Sequence, residues 1–344
     1  MAAFAPGLER MRALTAQLAD QFANGYRDGA EAARGLIGPR PRPTYAVGIG
    51  GSAISGDLAR ALFELETKVP FAVVRGPALP AAADRDSLAI LMSHSGETWE
   101  VLSAYDAARR QSMRMVAITS GGDLAERAER DGVPLIVINP DMPPRCSVGL
   151  LLGSILGLLD AWFPESNEDR VARIAERLRA RHATHARRGG LPERLATRLG
   201  HRFPFIYGDA PLLPLARRWA TQMEENAKRL AMFDEVPEAY HNAIVAWDHI
   251  GASEARRFAA FFLEWGGTAP RVRASNRYLE RTLARKGALA VRVPLESSDL
   301  LEALLEGLVL GDLTSLEVAA RGRVDPLPID AVARYRSYLD GTSR

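Results

Sequence analysis

The sequence is poor in cysteine, in net charge and in long apolar runs, and each shortage excludes a class of protein. One cysteine, Cys146, stands in 344 residues, which excludes an internal disulfide framework and fits a reducing compartment. Lys and Arg number 44 against 42 Asp and Glu, so no overall charge field for nucleic acid or a membrane surface is expected. We predict a cytoplasmic globular protein with no nucleic-acid and no membrane partner.

Apolar residues are plentiful but are not gathered into a membrane-length run. They make up 47% of the chain, which is enough for well-buried cores in two domains of ordinary size. The longest apolar stretch, residues 148–163, is interrupted by glycines and Asp160 and is shorter than the about 20 residues that span a bilayer. We expect a buried helix there. The first residues carry charges among their apolar side chains, so no signal-peptide core is predicted.

Metal ligands are also scarce. The six histidines are scattered along the chain, and His182 and His185 fall in a polar, Arg-rich stretch where we expect them to be solvated rather than ligating. We predict no metal site and no cofactor.

Short β-rich runs alternate with helix-length segments from Tyr45 onward, and a second round begins near residue 203. This alternation is typical of doubly wound parallel sheets. In the second round NAIVAWD, RFAAFFLEW, PRVRAS and ALAVRVPL are candidate strands. We predict an α/β fold of two tandem flavodoxin-like αβα sandwiches with helices at both ends. The predicted boundaries are 1–40 for an N-terminal helical segment, 41–168 for the first domain, 169–200 for a helical linker, 201–325 for the second domain and 326–344 for a C-terminal helix.

A glycine-rich loop follows the first predicted strand. Gly48, Gly50 and Ala53 match the weak form of the dinucleotide-binding fingerprint, although glycine backbone at a helix start suits any phosphate. The acidic residue expected near the end of the next strand is absent, and Arg75 stands there. At this point a nicotinamide-dependent enzyme, a phosphate site and a tight turn without a ligand all stay open.

Hydroxyl side chains follow another predicted strand. Ser93, Ser95 and Thr98 surround Gly96 just before a predicted helix. Three hydroxyls together with the amides of a helix start can saturate the oxygens of a phosphate monoester, although Thr98 alone could be an ordinary helix cap. We interpret the two loops, 48–52 and 93–98, as one pocket for a single phosphate.

Five stretches carry a resemblance to a known family. GIGGSAISGD (48–57) and SHSGETWEVL (93–102) resemble the sugar isomerase (SIS) domain. PPRCSVGLLLGSIL, EENAKRLAMFDEVPEAYHN and RVDPLPIDAVARYRSYL narrow the resemblance to the bifunctional phosphoglucose/phosphomannose isomerases. These are two-domain enzymes that interconvert aldose and ketose hexose 6-phosphates. The resemblance implies two tandem SIS domains and a phosphorylated hexose as substrate, without metal or nucleotide.

The resemblance also implies roles for single residues. Arg145 would stabilise an enediolate, for which a fixed guanidinium is well suited, and Glu225 would move the proton between C1 and C2. His241 would catalyse ring opening in the site of a partner subunit, which implies a homodimer. Neighbouring helical residues face different directions, so only one of Glu224 and Glu225 can face the site. The phosphate would be bound by Gly51, Ser52, Ser93, Ser95 and Thr98.

Two positions depart from the family pattern. Ala243 stands where the family has a carboxylate after the ring-opening histidine, and Arg336 stands where the C-terminal helix of the family has a lysine that reaches the sugar. Arg336 can donate hydrogen bonds, but with a pKa above about 12 it is a poor proton shuttle. Three functions follow. The first is an isomerase that interconverts fructose 6-phosphate with glucose 6-phosphate, mannose 6-phosphate or both. The others are a catalytically weak or inactive sugar-phosphate-binding protein and an NAD(P)-binding enzyme, which only the glycine loop favours.

Overall fold

The computed structural model describes residues 6–36 and 42–342, without the side chains of Pro6, Arg336 and residues 340–342. The elements up to the end of the first sheet and its last helix are α1 (Pro6–Ala16), α2 (Leu18–Ala33), β1 (Thr44–Val47), α3 (Gly51–Glu66), β2 (Phe71–Val74), β3 (Leu88–Ser93), α4 (Trp99–Arg110), β4 (Arg114–Thr119), α5 (Gly122–Asp131), β5 (Leu135–Val137) and α6 (Val148–Leu158).

The remaining elements build a second sheet and end in a helix. They are α7 (Glu168–Ala186), α8 (Leu191–Leu199), β6 (Phe203–Asp209), α9 (Leu213–Glu225), β7 (Met232–Val236), α10 (Ala243–His249), α11 (Ala252–Ala255), β8 (Phe258–Glu264), α12 (Pro270–Arg285), β9 (Leu289–Pro294), α13 (Leu300–Gly322) and α14 (Asp330–Thr342). Short 3₁₀ helices lie at Pro144–Cys146, Asp160–Trp162, Ala210–Leu212 and Glu238–Tyr240.

Both sheets are parallel and doubly wound. The first has the strand order β2-β1-β3-β4-β5 and the second the order β7-β6-β8-β9. In each sheet the chain runs to one side of its first strand and then crosses to the other side, so β1 lies directly beside β3 and β6 beside β8. The predicted α/β fold of two parallel sheets is confirmed. The predicted domain boundaries stay a proposal, which is supported by the placement of β1–β5 within 41–168 and of β6–β9 within 201–325.

One apolar core continues beneath both sheets. It includes Ile90 of β3, Ile155 of α6, Trp219 of α9, Phe261 of β8 and Leu304 of α13. Parallel sheets covered on both faces have strands that are apolar throughout, and β1 and β3 are buried at every position. The apolar stretch predicted as a buried helix forms α6. No helix within residues 6–36 and 42–342 is long and apolar enough to cross a membrane.

Helices α2 and α6 cross in close backbone contact because glycines line the crossing. A side chain on Gly153 or Gly157 of α6 would overlap the carbonyl oxygen of Phe22 or Tyr26 on α2, respectively. This crossing attaches the N-terminal helical segment to the first domain.

Two predicted strands of the second sheet are wrong. NAIVAWD forms α10, and the backbone N–H of the first residue of this helix donates a hydrogen bond to the side chain of the preceding residue, Asn242. PRVRAS forms the start of α12, with Pro270 in the first turn, where its fixed φ and missing N–H are tolerated. Asn at an N-cap and Pro in the first turn are helix-start signals. These signals outweigh the β-branched residues that favoured strands.

Candidate active site

The two predicted phosphate loops meet at one edge of the first sheet. Val47, the last residue of β1, pairs with Leu91 of β3, so both loops leave the sheet at the same end. This is the point at which the strand order reverses, and doubly wound sheets bind their ligands there. The topology therefore brings loops 48–52 and 93–98 together, as their positions after neighbouring strands predicted.

The first loop turns sharply into α3. Gly50 has a φ of +58°, a left-handed conformation that costs glycine little, and α3 starts at the next residue, Gly51. Ser52 therefore lies in the first helical turn, where it is buried. No side chain caps this end of α3 within the described residues, so its first-turn N–H groups can point toward an anion.

The hydroxyls of the second loop are held in place by each other and by the loop backbone. Ser93 Oγ and Thr98 Oγ1 are hydrogen-bonded at 2.8 Å, and the Gly96 amide donates to Ser93 Oγ at 3.1 Å. The Glu97 amide donates to Ser95 Oγ at 3.3 Å. Ser93 is buried while Ser95 is exposed. These hydroxyls are preorganised, which lowers the entropy cost of binding a phosphate.

A third loop, residues 120–122, supports the hydroxyl loop and was not predicted as part of the site. Ser120 Oγ donates to the His94 carbonyl oxygen at 2.5 Å. The Gly121 carbonyl lies so close to Gly96 that a side chain at Gly96 would overlap it. The sequence did carry a signal, since S-G-G follows the strand next to β3, and the ends of neighbouring parallel strands share one edge.

His94 lies within the hydroxyl loop and is partly buried. Its Nε2 atom is inaccessible and has no hydrogen-bond partner among the described residues. Burial lowers the pKa of His94, and hydrogen bonding to the backbone of Met142 and Asn139 opposes the shift only in part. The neutral imidazole is therefore the favoured form in the folded protein.

Arg145 connects the phosphate loops to the second sheet. A side chain on Gly51 would begin 3.2 Å from the carbonyl oxygen of Pro144, the residue before Arg145. The Arg145 side chain is 2% exposed; its Nε donates to Asn226 Oδ1 at 2.9 Å, and its Nη2 donates to the Pro326 and Leu327 carbonyls at 2.7 and 3.1 Å. The protein therefore fixes the guanidinium on two sides.

Glu225 faces the remaining side of that guanidinium. Its Oε2 lies 3.6 Å from Arg145 Nη1, and its side chain is 37% exposed. It is the last residue of α9, whereas neighbouring Glu224 is exposed and has no ion pair within the described residues. The arrangement places a half-exposed carboxylate against a buried cation, next to the loops suited to phosphate.

A buried polar network that the sequence did not indicate stands behind Arg145. Asn226, which accepts from Arg145, donates through Nδ2 to Ser315 Oγ at 2.9 Å. Arg218 Nη2 donates to the Arg145 carbonyl at 2.7 Å and to Asp312 Oδ2 at 2.9 Å. The one available signal was the presence of Asp312 among the apolar residues of α13.

His241 and Arg336 are not brought to this cluster by any contact that the structure records. His241 is exposed, and its side chain has no hydrogen bond or ion pair within the described part of the chain. The preceding Tyr240 is anchored, because its hydroxyl donates to Asn276, which donates to Glu264 at 2.8 Å. Arg336 lies on α14, but its side chain is outside the described residues.

At the end of β2, where a dinucleotide site would need a free carboxylate, the chain carries an arginine. Arg75, directly after β2, forms a two-point ion pair with Asp57 of α3, and Arg217 lies 3.4 Å from the same carboxylate. The described residues also contain no group of three or more His, Cys, Asp or Glu side chains placed to hold a metal ion.

Comparison with known proteins agrees with this geometry. The model of the SIS domain matches residues 42–138, and that of the bacterial phospho-glucose isomerase C-terminal SIS domain matches residues 190–339. The solved structure of glucosamine-6-phosphate deaminase from Thermotoga maritima superposes with a TM-score of 0.67 at 18% identity, covering 90% of this chain and 95% of that one. That likeness concerns the fold alone. The chain is thus a tandem SIS-domain protein.

Two relatives narrow the class. The bifunctional phosphoglucose/phosphomannose isomerase of Caldicellulosiruptor bescii is 34% identical over 236 residues, which are 66% of this chain and 69% of the relative. The enzyme of the same name from Aquifex aeolicus is 28% identical over 293 residues, which are 85% of this chain and 88% of the relative. The chain belongs to the bifunctional phosphoglucose/phosphomannose isomerase family, which confirms the family predicted from its motifs.

Proposed function

We propose that the protein is an aldose–ketose isomerase that interconverts fructose 6-phosphate with glucose 6-phosphate, mannose 6-phosphate or both. The observation that carries this proposal is the pair formed by Glu225 and Arg145, 3.6 Å apart, beside the two strand-end loops. Such a reaction needs a base that moves a proton between C1 and C2 and a positive charge near the enediolate oxygens. The pair supplies one of each.

The proposed steps follow from the positions of the groups. Ser52, Ser93, Ser95 and Thr98, together with the Gly51 backbone, bind the phosphate and hold the sugar in one orientation. The Glu225 carboxylate removes the proton from one carbon and returns it to its neighbour, while the hydroxyl proton passes from one enediolate oxygen to the other. The Arg145 guanidinium stabilises the negative charge that develops on the oxygens, and its fixed position means that little reorganisation is needed during the reaction. No metal or nucleotide enters these steps.

We further propose a cytoplasmic homodimer in which the partner subunit's His241 opens the sugar ring. The exposure of His241 and its lack of a side-chain partner within the described chain support this assignment. Leu230, Met232 and Val245, which lie near the same loop in sequence, are 74%, 51% and 68% exposed. Exposed apolar residues around an edge strand are typical of an interface.

A second candidate is a sugar-phosphate-binding protein with little or no turnover. One observation favours it: of the Arg145 nitrogens, Nε and Nη2 are already bound to Asn226 and to backbone carbonyls, so only Nη1 faces the carboxylate. The NAD(P)-dependent alternative has no comparable support, because Asp57 is paired with Arg75 and Arg217.

The proposal is tested by coupled assays of fructose 6-phosphate turnover to glucose 6-phosphate and to mannose 6-phosphate. We expect Glu225→Gln to lower kcat by roughly 10²- to 10⁴-fold, the contribution of a general base. The matched control is Glu224→Gln, the neighbouring residue, which should keep nearly full activity. Loss in the control instead would reassign the base. A wild-type protein without turnover that the sugar phosphates still stabilise against heat would establish the binding protein.

A further inference from the structure

Lys228 lies three residues after Glu225 in the E-N-A-K motif, and the proposed chemistry does not use it. Its backbone has φ +54°, in the left-handed region that non-glycine residues seldom adopt. An unusual backbone conformation of this kind calls for a look at what the side chain contacts.

The Lys228 ammonium group is directed at backbone carbonyls. Its Nζ donates to the Glu225 carbonyl at 2.5 Å and to the Pro328 carbonyl at 2.7 Å, and it lies 3.4 Å from the Pro326 carbonyl. Arg145 Nη2 binds the carbonyls of Pro326 and Leu327 from the buried side. Residues 326–328, here called the carbonyl segment, thus turn three consecutive carbonyls toward two cations.

The carbonyl segment makes few other hydrogen bonds within the described residues, although Leu327 also packs against the apolar cluster that contains Met11 and Leu316. Pro326 and Pro328 have no N–H to donate, and the Leu327 amide donates to Asp325 Oδ1 at 2.9 Å, within the same stretch. Side-chain cations therefore take the place of a hydrogen-bonded ladder. Asp325 and Asp330 add favourable charge around Lys228, while burial and the nearby Arg145 lower its pKa.

The carbonyl segment leads directly into α14, whose described side chains are exposed. Val332, Tyr335 and Tyr338 on this helix are 41%, 61% and 67% exposed. A helix with so little buried surface takes its position from the segment that precedes it. The segment, in turn, is joined to the end of α9, where Glu225 lies.

We propose that Lys228 is a positioning residue that fastens the carbonyl segment to the end of α9 and so sets the position of α14 relative to Glu225. The consequence for catalysis rests on the proposed function, because it takes Glu225 as the base. The fastening itself does not, and it can be measured without any turnover.

The test compares Lys228→Met, Lys228→Gly and Lys228→Arg by steady-state kinetics and by amide hydrogen exchange over residues 325–342. The methionine variant keeps the apolar stem and removes the charge, the glycine variant also relieves the left-handed backbone, and the arginine variant keeps a cation. We expect kcat to fall by roughly 10- to 100-fold in the methionine and glycine variants, because a catalytic group displaced by about 1 Å slows a reaction by about that factor. KM should change by less than about 3-fold. Amide hydrogen exchange in α14 should become faster in these two variants. Lys228→Arg should keep both kcat and the exchange rate near their wild-type values.

Lys286 provides the matched control. Its Nζ also donates to loop carbonyls, those of Asp248 and Ile250, but it is not in the candidate site. We expect Lys286→Met to leave kcat and exchange in α14 unchanged. Unchanged kcat and unchanged exchange in Lys228→Met and Lys228→Gly would overturn the inference. If the wild-type protein shows no turnover, the proposed function fails, and the exchange measurements alone decide the role of Lys228.

Discussion

The buried pair of Arg218 and Asp312 offers a prediction whose size follows from the structure. Arg218 Nε and Nη2 donate to the two carboxylate oxygens of Asp312 at 3.2 and 2.9 Å. The two residues are 1% and 4% exposed. Burial acts to lower the pKa of Arg218, but the Asp312 carboxylate outweighs it, and the pKa is raised. Arg218 therefore stays charged and depends on Asp312 for its counter-charge.

Removing one partner should be costly and removing both should not. Asp312→Asn leaves a buried cation without a counter-charge, and we expect a loss of about 3–5 kcal/mol in the free energy of unfolding. Arg218→Met leaves a buried carboxylate and should be destabilising as well. The double variant Arg218→Met/Asp312→Leu removes both charges and keeps apolar volume, but it also removes the donor to the buried Arg145 carbonyl, so its stability should return to within about 2 kcal/mol of wild type.

Activity should not return with stability. Arg218 also donates to the Arg145 carbonyl at 2.7 Å, and no variant lacking Arg218 can make that hydrogen bond. We expect kcat to stay roughly 10-fold below the wild-type value in the double variant, because the 3₁₀ helix that carries Arg145 is less well placed.

The measurements are guanidinium-induced unfolding and the coupled isomerase assay. Glu64→Gln serves as control, since it removes one partner of the exposed Arg60–Glu64 pair and should cost less than about 1 kcal/mol. The reasoning is refuted if Asp312→Asn costs less than about 1 kcal/mol, or if the double variant is less stable than either single variant.

Two further predictions concern packing and pH. Gly153→Ala should lower the free energy of unfolding by about 1–3 kcal/mol, since its methyl group would overlap the Phe22 carbonyl and lie 2.8 Å from the Tyr26 amide. Gly76→Ala, with open space around it, is the control, and equal guanidinium midpoints for the two variants would contradict the prediction. Because the pKa of His94 is lowered in the folded protein, its contribution to stability is fully present above the unfolded pKa of about 6.5 and is lost as the pH falls from there through the lower folded pKa. His94→Gln should therefore flatten the fall in Tm between about pH 7 and 5, whereas substitution of exposed His201 by Gln should not; an unchanged slope in His94→Gln would count against the assignment.

The parts of the fold that could be predicted are those set by local pattern. Strands such as LAILMS are short, apolar and followed by turn residues, and the carboxyl ends of parallel strands share an edge, so both phosphate loops could be placed together. NAIVAWD and PRVRAS were placed wrongly because the few β-branched residues they contain were given more weight than the helix-start signals of Asn242 and Pro270.

The supporting part of the site could not be predicted for a different reason. Arg218 contacts Asp312 across 94 positions of sequence, and Arg145 contacts Pro326 across 181. No periodicity reports such pairs, because they exist only after the two sheets pack on one core. Glu225 could be named in advance through the family motif, yet its ion pair with Arg145 depends on that packing.

The shared core has a consequence for how a substrate enters. A hinge between the two sheets would have to separate α3 from α9 and α13 and open the apolar core that continues between them, at about 1.5–3 kcal/mol for each large apolar side chain exposed. Arg145 would also be pulled from its contacts on both sides. We therefore expect a substrate to enter and leave through loop motions at the rim, while Glu225, Arg145 and the loops at 48–52 and 93–98 keep one relative geometry.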